Sequence, residues 1–131
     1  TGQFLKTNGL GVLSFGTAGA SLSHSDIADA TTTVASSATT VLNTFAVGTY
    51  RSAKYFISIV DATNDRYEIV EANVTHDGSD AYISTFGSTT NYTGPLTTFS
   101  ADVSGGNARV LVTNISDNST VFKFQAIYID V

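Results

Sequence analysis

The sequence predicts an all-β protein, namely an antiparallel β-sandwich or jelly-roll-like domain of about eight strands with an extended N-terminal arm. From Tyr50 to Val131, apolar and polar residues alternate in short runs, which is typical of half-buried strands. Clusters of Asp, Asn, Ser and Gly separate these runs at the regular spacing of a sandwich, jelly roll or barrel. No helix-period pattern interrupts this region.

Residues 1–30 are predicted to form the arm, and residues 31–131 the β domain. Gly, Ser, Thr and Ala dominate the arm, and such a composition buries too little apolar surface to fold alone. Residues 25–30 are compatible with one helical turn capped by Ser25. We expect the arm to be held by contacts between subunits or with a neighbour. Its candidate contact residues are Phe4, Leu5, Leu13 and Phe15.

The predicted strands of the domain follow one another with short breaks. They are 31–35, 39–47, 52–60, 67–76, 81–86, 97–103, 108–113 and 120–131. The 52–60 run is apolar on both faces, which indicates a central strand rather than an edge. The predicted core residues are Tyr55, Ile57, Ile59, Val70, Val74, Ile83, Val110, Val112, Phe122, Phe124 and Ile127.

Two turns stand out between these strands. Asp77-Gly78 predicts a tight hairpin turn of type I′, because this turn needs positive φ and Gly accepts it. The run from Ser104 to Asn107 contains Gly105-Gly106 and predicts a second turn. The only proline, Pro95, lies in a predicted loop, where its missing N–H does no harm.

Composition excludes several function classes. The 131 residues suffice for one domain with its own core, and the absence of cysteine excludes disulfides, thiolate metal sites and cysteine nucleophiles. The net charge is −5, and the six basic residues are scattered, which argues against a nucleic-acid partner. No apolar run approaches the ~18 residues of a membrane span, so no membrane insertion is expected.

Candidate chemical sites are few, and each has a structural interpretation that we favour. His24 and His76 are the only histidines, and neither has a second ligand at a recognised metal-binding spacing. Glu68 and Glu71 lie on opposite faces of one predicted strand, so they cannot form a paired-carboxylate site. Glu71 is expected to pair with Arg51, Lys54 or Arg109. The sequence predicts no catalytic residue, cofactor or metal site.

Two further groups remain as alternatives. A cluster of oxygen-bearing side chains could bind calcium, although the EF-hand spacing is absent and Asp-rich turns are common for backbone reasons. This cluster comprises Asp61, Asn64, Asp65 and Glu68. Tyr50, Tyr82 and Tyr92 could form a carbohydrate-binding surface, but core or interface packing is the favoured role since the chain has no Trp.

Two stretches of the sequence resemble segments of known proteins. The first is Gly2-Gln3-Phe4-Leu5-Lys6-Thr7-Asn8-Gly9. It resembles a short linker repeat of tail fibres, Gly-Gln-x-Leu-x-x-Asn/Asp-Gly, which usually closes on Trp where this chain has Phe15. The second runs from Tyr50-Arg51-Ser52-Ala53-Lys54-Tyr55 through Glu71 and His76-Asp77-Gly78 to the final strand. It resembles small β domains of marine phages, notably those infecting cyanobacteria.

The resemblance implies a virion component without catalytic residues, often a homotrimer. We therefore predict a non-enzymatic tail-fibre or appendage domain that acts in assembly or host attachment. Its partners would be further copies of itself and other virion proteins, and a host-surface glycan is a further candidate partner. A capsid decoration or cement protein is the alternative within the same class, and a carbohydrate-binding module is the alternative from another class.

Overall fold

The chain is described here by a computed structural model that covers residues 3–7, 9–17 and 22–131, with side chains at 5, 7, 9–14 and 22–131. This part of the chain contains ten β-strands and no helix long and apolar enough to cross a membrane. The strands are β1 (Gln3–Thr7), β2 (Leu13–Thr17), β3 (Ser25–Val34), β4 (Thr39–Ala46), β5 (Tyr50–Asp61), β6 (Arg66–His76), β7 (Ala81–Thr90), β8 (Thr97–Ser104), β9 (Asn107–Asn114) and β10 (Thr120–Asp130).

The strands β3 to β10 form two packed antiparallel sheets. One sheet has the order β3-β10-β5-β6-β7, the other has the order β4-β9-β8, and β1 and β2 pair as a separate hairpin. These eight strands correspond one to one with the eight predicted strands, so the predicted antiparallel sandwich is confirmed. Consecutive hairpins place β5, β6 and β7 side by side in one sheet. The jelly-roll form of the prediction is not confirmed by this order.

The core lies between the two sheets and follows the period of two along each strand. Alternate residues of β5 and β10 are buried, among them Tyr55, Ile57 and Phe122. All the predicted core residues are buried except two. Ile83 is only partly buried at the margin of the core. Ile127 is 45% exposed, so its assignment to the core is wrong.

The position of Ile127 follows from its neighbours in the strand. Ala126 and Tyr128 on either side of it are both buried, and successive side chains of a strand point to opposite faces. Ile127 therefore points away from the second sheet. The predicted central position of the 52–60 strand is confirmed, because β5 lies between β10 and β6.

The segment before the first predicted strand differs from expectation. Residues 25–30 form the first part of β3 rather than a helical turn, and Ser25 pairs with Ile129 of β10. Nucleation of a single helical turn is unfavourable in free energy and gains few hydrogen bonds. Pairing with β10 instead provides backbone hydrogen bonds along the whole segment. The predicted helical turn is therefore wrong. The division of the chain into an arm and a domain at residue 30 stays a prediction.

Both glycine-containing turns are hairpins, but they differ in type. Ser104 pairs with Asn107, and Gly105 and Gly106 both have positive φ (58° and 78°), as a type I′ turn requires. At the other turn, His76 pairs with Ala81, so the loop has four residues, 77–80. The hairpin at Asp77-Gly78 is confirmed, whereas the two-residue type I′ geometry predicted there is wrong.

The carboxylate of Asp77 explains the longer loop. It accepts hydrogen bonds from the backbone N–H groups of Ser79 (2.9 Å) and Asp80 (2.8 Å), which closes an Asx-type turn. These bonds also hold the pKa of Asp77 below its ordinary value. Gly78 alone carries the positive φ in this loop, at 104°.

Two strands contain register shifts, and one of them turns a polar side chain toward the interior. The register of β4 and β9 shifts between Val41 and Asn43, and Asn43 donates its amide hydrogens to the hydroxyl groups of Tyr55 and Tyr128. Burial raises the pKa of Tyr55, so its hydroxyl stays protonated. In β7, Gly87 (φ 63°) marks a second register shift against β6.

Candidate functional site

The face of the five-stranded sheet that points away from the smaller sheet carries several exposed apolar side chains. We call it the outer face. Seven of its large apolar side chains are between 40% and 55% exposed. They are Ile27, Phe56, Tyr67, Tyr82, Phe86, Ile127 and Ile129. Large exposed apolar patches on a folded domain mark contact sites, so the outer face is the candidate functional site.

One side of the outer face carries a ridge of isoleucines. Ile127 of β10 lies directly opposite Ile27 of β3, and Ile129 is the next residue of β10 on the same face. Cross-strand neighbours in direct register have their Cβ atoms about 4.5–5.5 Å apart. We call these three residues the ridge. They project from β3 and β10 at one edge of the sheet.

A groove lies next to the ridge, over β5 and β6. Its cavity volume is about 570 Å³, and Ile127 and Ile129 form one wall. The floor consists of small polar residues in register with each other, Ser52 and Thr75, together with Asn73. The groove forms at this point because short side chains stand between long ones.

Tyr82 of β7 forms the opposite wall of the groove, in register with Thr75 of β6. Its hydroxyl donates a hydrogen bond to the Asp77 carboxylate at 3.0 Å, which fixes the ring. The same bond raises the pKa of the Tyr82 hydroxyl. The wall is therefore held in place by the loop that precedes β7.

Positive and negative side chains are equal in number on the strands of the outer face. Lys54 and Glu71 form an ion pair at 2.7 Å, and the Lys54 ammonium lies 5.5 Å from the ring centroid of Phe86. This ion pair confirms one of the three pairings expected for Glu71. The register also places Asp29 and Lys123 on this face. Two positive and two negative side chains therefore balance within the strands, whereas the Asp77 carboxylate bonded to Tyr82 adds a negative charge at the end of the groove. The whole chain carries a net charge of −5.

The residues predicted for a subunit contact lie in the hairpin of β1 and β2. Its register pairs Leu5 with Phe15 and Thr7 with Leu13, so positions 5, 13 and 15 share one face, whereas Phe4 lies on the other. Leu5 is 56% exposed and Leu13 is 63% exposed. The side chains of Phe4 and Phe15 lie outside the described residues. Their role in an interface stays a prediction.

The two histidines occupy different environments. His24 is exposed, whereas His76 is buried at the end of β6. The Nε2 atom of His76 lies 2.7 Å from the carbonyl oxygen of Tyr50, and its ring centroid lies 5.9 Å from that of Phe45. Among the described residues, no group of three or more His, Cys, Asp or Glu side chains could hold a metal ion.

Two of the candidate calcium ligands, Asp61 and Glu68, take part in separate sets of hydrogen bonds within the fold. The buried Asp61 carboxylate accepts bonds from the Ser116 hydroxyl and from the backbone and side chain of Asn64. The bond from Ser116, followed by those from Asn64, holds the pKa of Asp61 below its ordinary value. Asp61 therefore secures the turn after β5 to the loop after β9.

Glu68 also has a structural position. It is buried, and its two carboxylate oxygens accept hydrogen bonds from the Ser88 hydroxyl (2.8 Å) and the Leu96 backbone N–H (2.7 Å). It therefore joins β6 to β7 and to the loop before β8. As predicted, Glu71 lies on the opposite face of β6, so the two carboxylates form no pair.

The three tyrosines suggested for carbohydrate binding do not form one surface. Tyr50 donates a hydrogen bond to Asp26 and packs against Tyr128, with ring centroids 5.0 Å apart. Tyr82 lies near the C-terminal end of β6, in register with Thr75. Tyr92 lies near the other end of β6, where its ring stacks with the guanidinium of Arg66 at 4.0 Å. The candidate carbohydrate surface is therefore divided over the two ends of the sheet.

The sequence contained a signal for the outer face that the strand assignment did not use. Phe56, Ile127 and Ile129 add apolar residues to strands whose opposite faces are already apolar. Such strands are usually buried on both faces. Here the sandwich covers only one face of the sheet, and the other is left without a partner in the described part of this chain.

Comparisons with known proteins give a partial likeness in fold. No protein-family model and no curated protein matches the chain. Solved structures with some similarity include the tailspike protein of Acinetobacter baumannii phage AM24, with a TM-score of 0.46 and 11% identity over 80% of this chain. The tailspike of Acinetobacter phage vB_ApiP_P1 has a TM-score of 0.40 and 16% identity over 85%.

A third solved structure is the tailspike of Acinetobacter baumannii bacteriophage Fri1, described as a capsular polysaccharide depolymerase. It has a TM-score of 0.38 and 16% identity over 82% of this chain. The chain spans between 20% and 26% of the length of these three tailspikes. Likeness at these values carries no information about the activity of this chain.

Proposed function

We propose that this chain is a non-enzymatic structural domain of a bacteriophage virion, most simply a tail-fibre or appendage domain that acts in assembly or host attachment. The observation that carries the proposal is the set of exposed apolar side chains on the outer face, because an exposed sheet face of this kind is a contact surface. We further propose that the domain works as a homo-oligomer, with a trimer favoured, located on the virion.

The assignment to a phage rests on the N-terminal segment. Its sequence resembles the linker repeat of tail fibres, and its backbone pairs as the hairpin of β1 and β2. Gly9 and Gly11 in the connection have φ values of 80° and 81°, which residues other than Gly rarely adopt. The closing glycine of the repeat, Gly9, therefore has a conformational role in this hairpin.

The non-enzymatic character is supported by the state of the buried acids. Asp61 and Glu68 each accept at least two hydrogen bonds from neighbouring protein groups, so their carboxylate oxygens are engaged within the fold. A general acid or base needs a carboxyl that can reach a substrate. A direct test is incubation of the purified chain with capsular polysaccharide. We expect no new reducing ends, and their appearance would contradict this part of the proposal.

Location on the virion distinguishes the appendage from the capsid alternative. An antibody against the β domain should label tail fibres when intact virions are viewed by electron microscopy. Labelling over the capsid would favour the decoration or cement alternative. Absence of label from purified virions that contain the phage's other structural proteins would overturn the virion assignment.

A further inference from the structure

We propose that the outer face is the surface through which copies of this chain bind one another, with the ridge of one copy seated in the groove of the next. This inference rests on the proposed function only in taking the chain to be an assembly protein. It assigns the contact to the sandwich itself, in addition to the N-terminal hairpin.

The outer face has a projecting half and a recessed half. The ridge stands over β3 and β10 on one half of the sheet, and the groove lies over β5 and β6 on the other half. A rotation axis parallel to the strands brings the ridge half of one copy against the groove half of its neighbour. Such a contact closes into a dimer if the rotation between neighbours is about 180°, and into the favoured trimer if it is about 120°.

The size of the outer face agrees with this occupant. Five strands spaced about 4.8 Å apart make the sheet about 24 Å wide, and a strand the length of β6 extends about 36 Å. The face therefore has an area of about 850 Å². A stable protein–protein interface buries about 800 Å² on each partner. The whole face is large enough to serve such an interface.

The charges favour another copy over a partner of opposite charge. Two identical chains with a net charge of −5 repel each other unless the surfaces that meet are neutral. The strands of the outer face meet this condition, because Lys54 pairs with Glu71 and because they carry one further acid, Asp29, and one further base, Lys123. The Asp77 carboxylate lies at the end of the face, where it accepts a hydrogen bond from Tyr82. An apolar ridge on strands whose charges balance suits contact with an identical surface.

Mass measurement of variants tests the proposal. The full chain should be an oligomer by light scattering after size-exclusion chromatography. Ile127→Glu should reduce it to a monomer, since a carboxylate in the dry centre of the contact raises the dissociation constant on the order of 100-fold or more. Asn73→Trp, which fills the groove floor, should have the same effect without removing any part of the ridge.

Matched variants keep the test specific. Ile115→Glu introduces the same charge at an isoleucine that is 49% exposed in a loop, so it should leave the mass unchanged. Each variant should keep the far-ultraviolet circular dichroism of the parent chain, because residues 73, 115 and 127 are all exposed. Leu13→Glu reports separately on the N-terminal hairpin.

Three outcomes would overturn the proposal. One is a monomeric parent chain. Another is an oligomer that survives both Ile127→Glu and Asn73→Trp, which, if Leu13→Glu dissociates it, would assign assembly to the hairpin alone. The third is glycan binding by a monomeric chain that Asn73→Trp abolishes. None of these depends on where the antibody labels the virion, so failure here is distinguishable from failure of the virion assignment.

Discussion

Replacement of the buried Asn114 by Ala should destabilise the domain more than an Asn→Ala change at any exposed position. Asn114 is fully buried and joins three parts of the chain. Its amide donates to the carbonyl oxygens of Val34 (3.0 Å) and Asn118 (2.8 Å). Its Oδ1 atom accepts from the Ser116 backbone N–H (2.9 Å) and the Thr120 hydroxyl (3.1 Å).

The magnitude follows from the groups that the substitution leaves without partners. Each buried donor or acceptor left unsatisfied costs about 1–3 kcal/mol. Water entering the new space and rotation of the Thr120 hydroxyl relieve some of these groups. We therefore expect Asn114→Ala to lower the free energy of unfolding by about 4 kcal/mol, which is a large part of the ~5–15 kcal/mol typical of a domain.

Asn91→Ala is the matched control, because Asn91 also makes two protein hydrogen bonds at 2.8 Å but is exposed. Water can replace those partners, so the expected loss is below about 1 kcal/mol. Urea unfolding followed by circular dichroism measures both changes, at equal protein concentration so that any oligomer contributes equally. Equal losses in the two variants would refute the reasoning that burial decides the cost of these bonds.

Three further predictions concern the pH dependence, the core and one turn. Because the folded pKa of Asp61 lies below its unfolded value, its ionised carboxylate stabilises the fold at neutral pH, and this contribution is lost as the pH falls below about 4. Urea titrations across this range should show a flatter acid limb for Asp61→Asn, and an unchanged acid limb would contradict it. Phe124→Ala should cost about 3–5 kcal/mol because Phe124 is buried against the Tyr55 ring, and a loss below about 1 kcal/mol would place it on the surface. Gly78→Val should cost about 1–3 kcal/mol because Gly78 has a φ of 104°, whereas Gly94→Val, at a glycine without positive φ, should stay within about 0.5 kcal/mol in thermal unfolding.

Much of the fold could be predicted because its signals are local. The alternation along β5 and β10 marks which residues share a face, and Gly105-Gly106 specifies its own turn through two positive φ angles. The segment at 25–30 was assigned wrongly for the opposite reason. Its weak local preference for a capped turn was overridden by pairing with β10, a strand about a hundred residues away in the sequence.

The candidate site could be predicted only in part. The apolar residues of the N-terminal hairpin were visible in the sequence, whereas the ridge and groove were not. Ile127 was assigned to the core because an apolar residue in a strand is usually buried. The groove needs Ser52, Thr75 and Tyr82 in register across three strands, and this register depends on pairings between segments distant in sequence.

The sequence by itself determined the fold class, the eight sandwich strands and the parity of the side chains within each strand, because these properties depend on a period of two and on turn residues. Only the tertiary structure decided which of the two faces of each strand is covered by the second sheet. A strand with apolar residues on both faces needs two partner layers, and the described part of the chain supplies one. The choice of the inner face depends on packing against β4, β8 and β9, so the exposed outer face follows from contacts that no local pattern encodes.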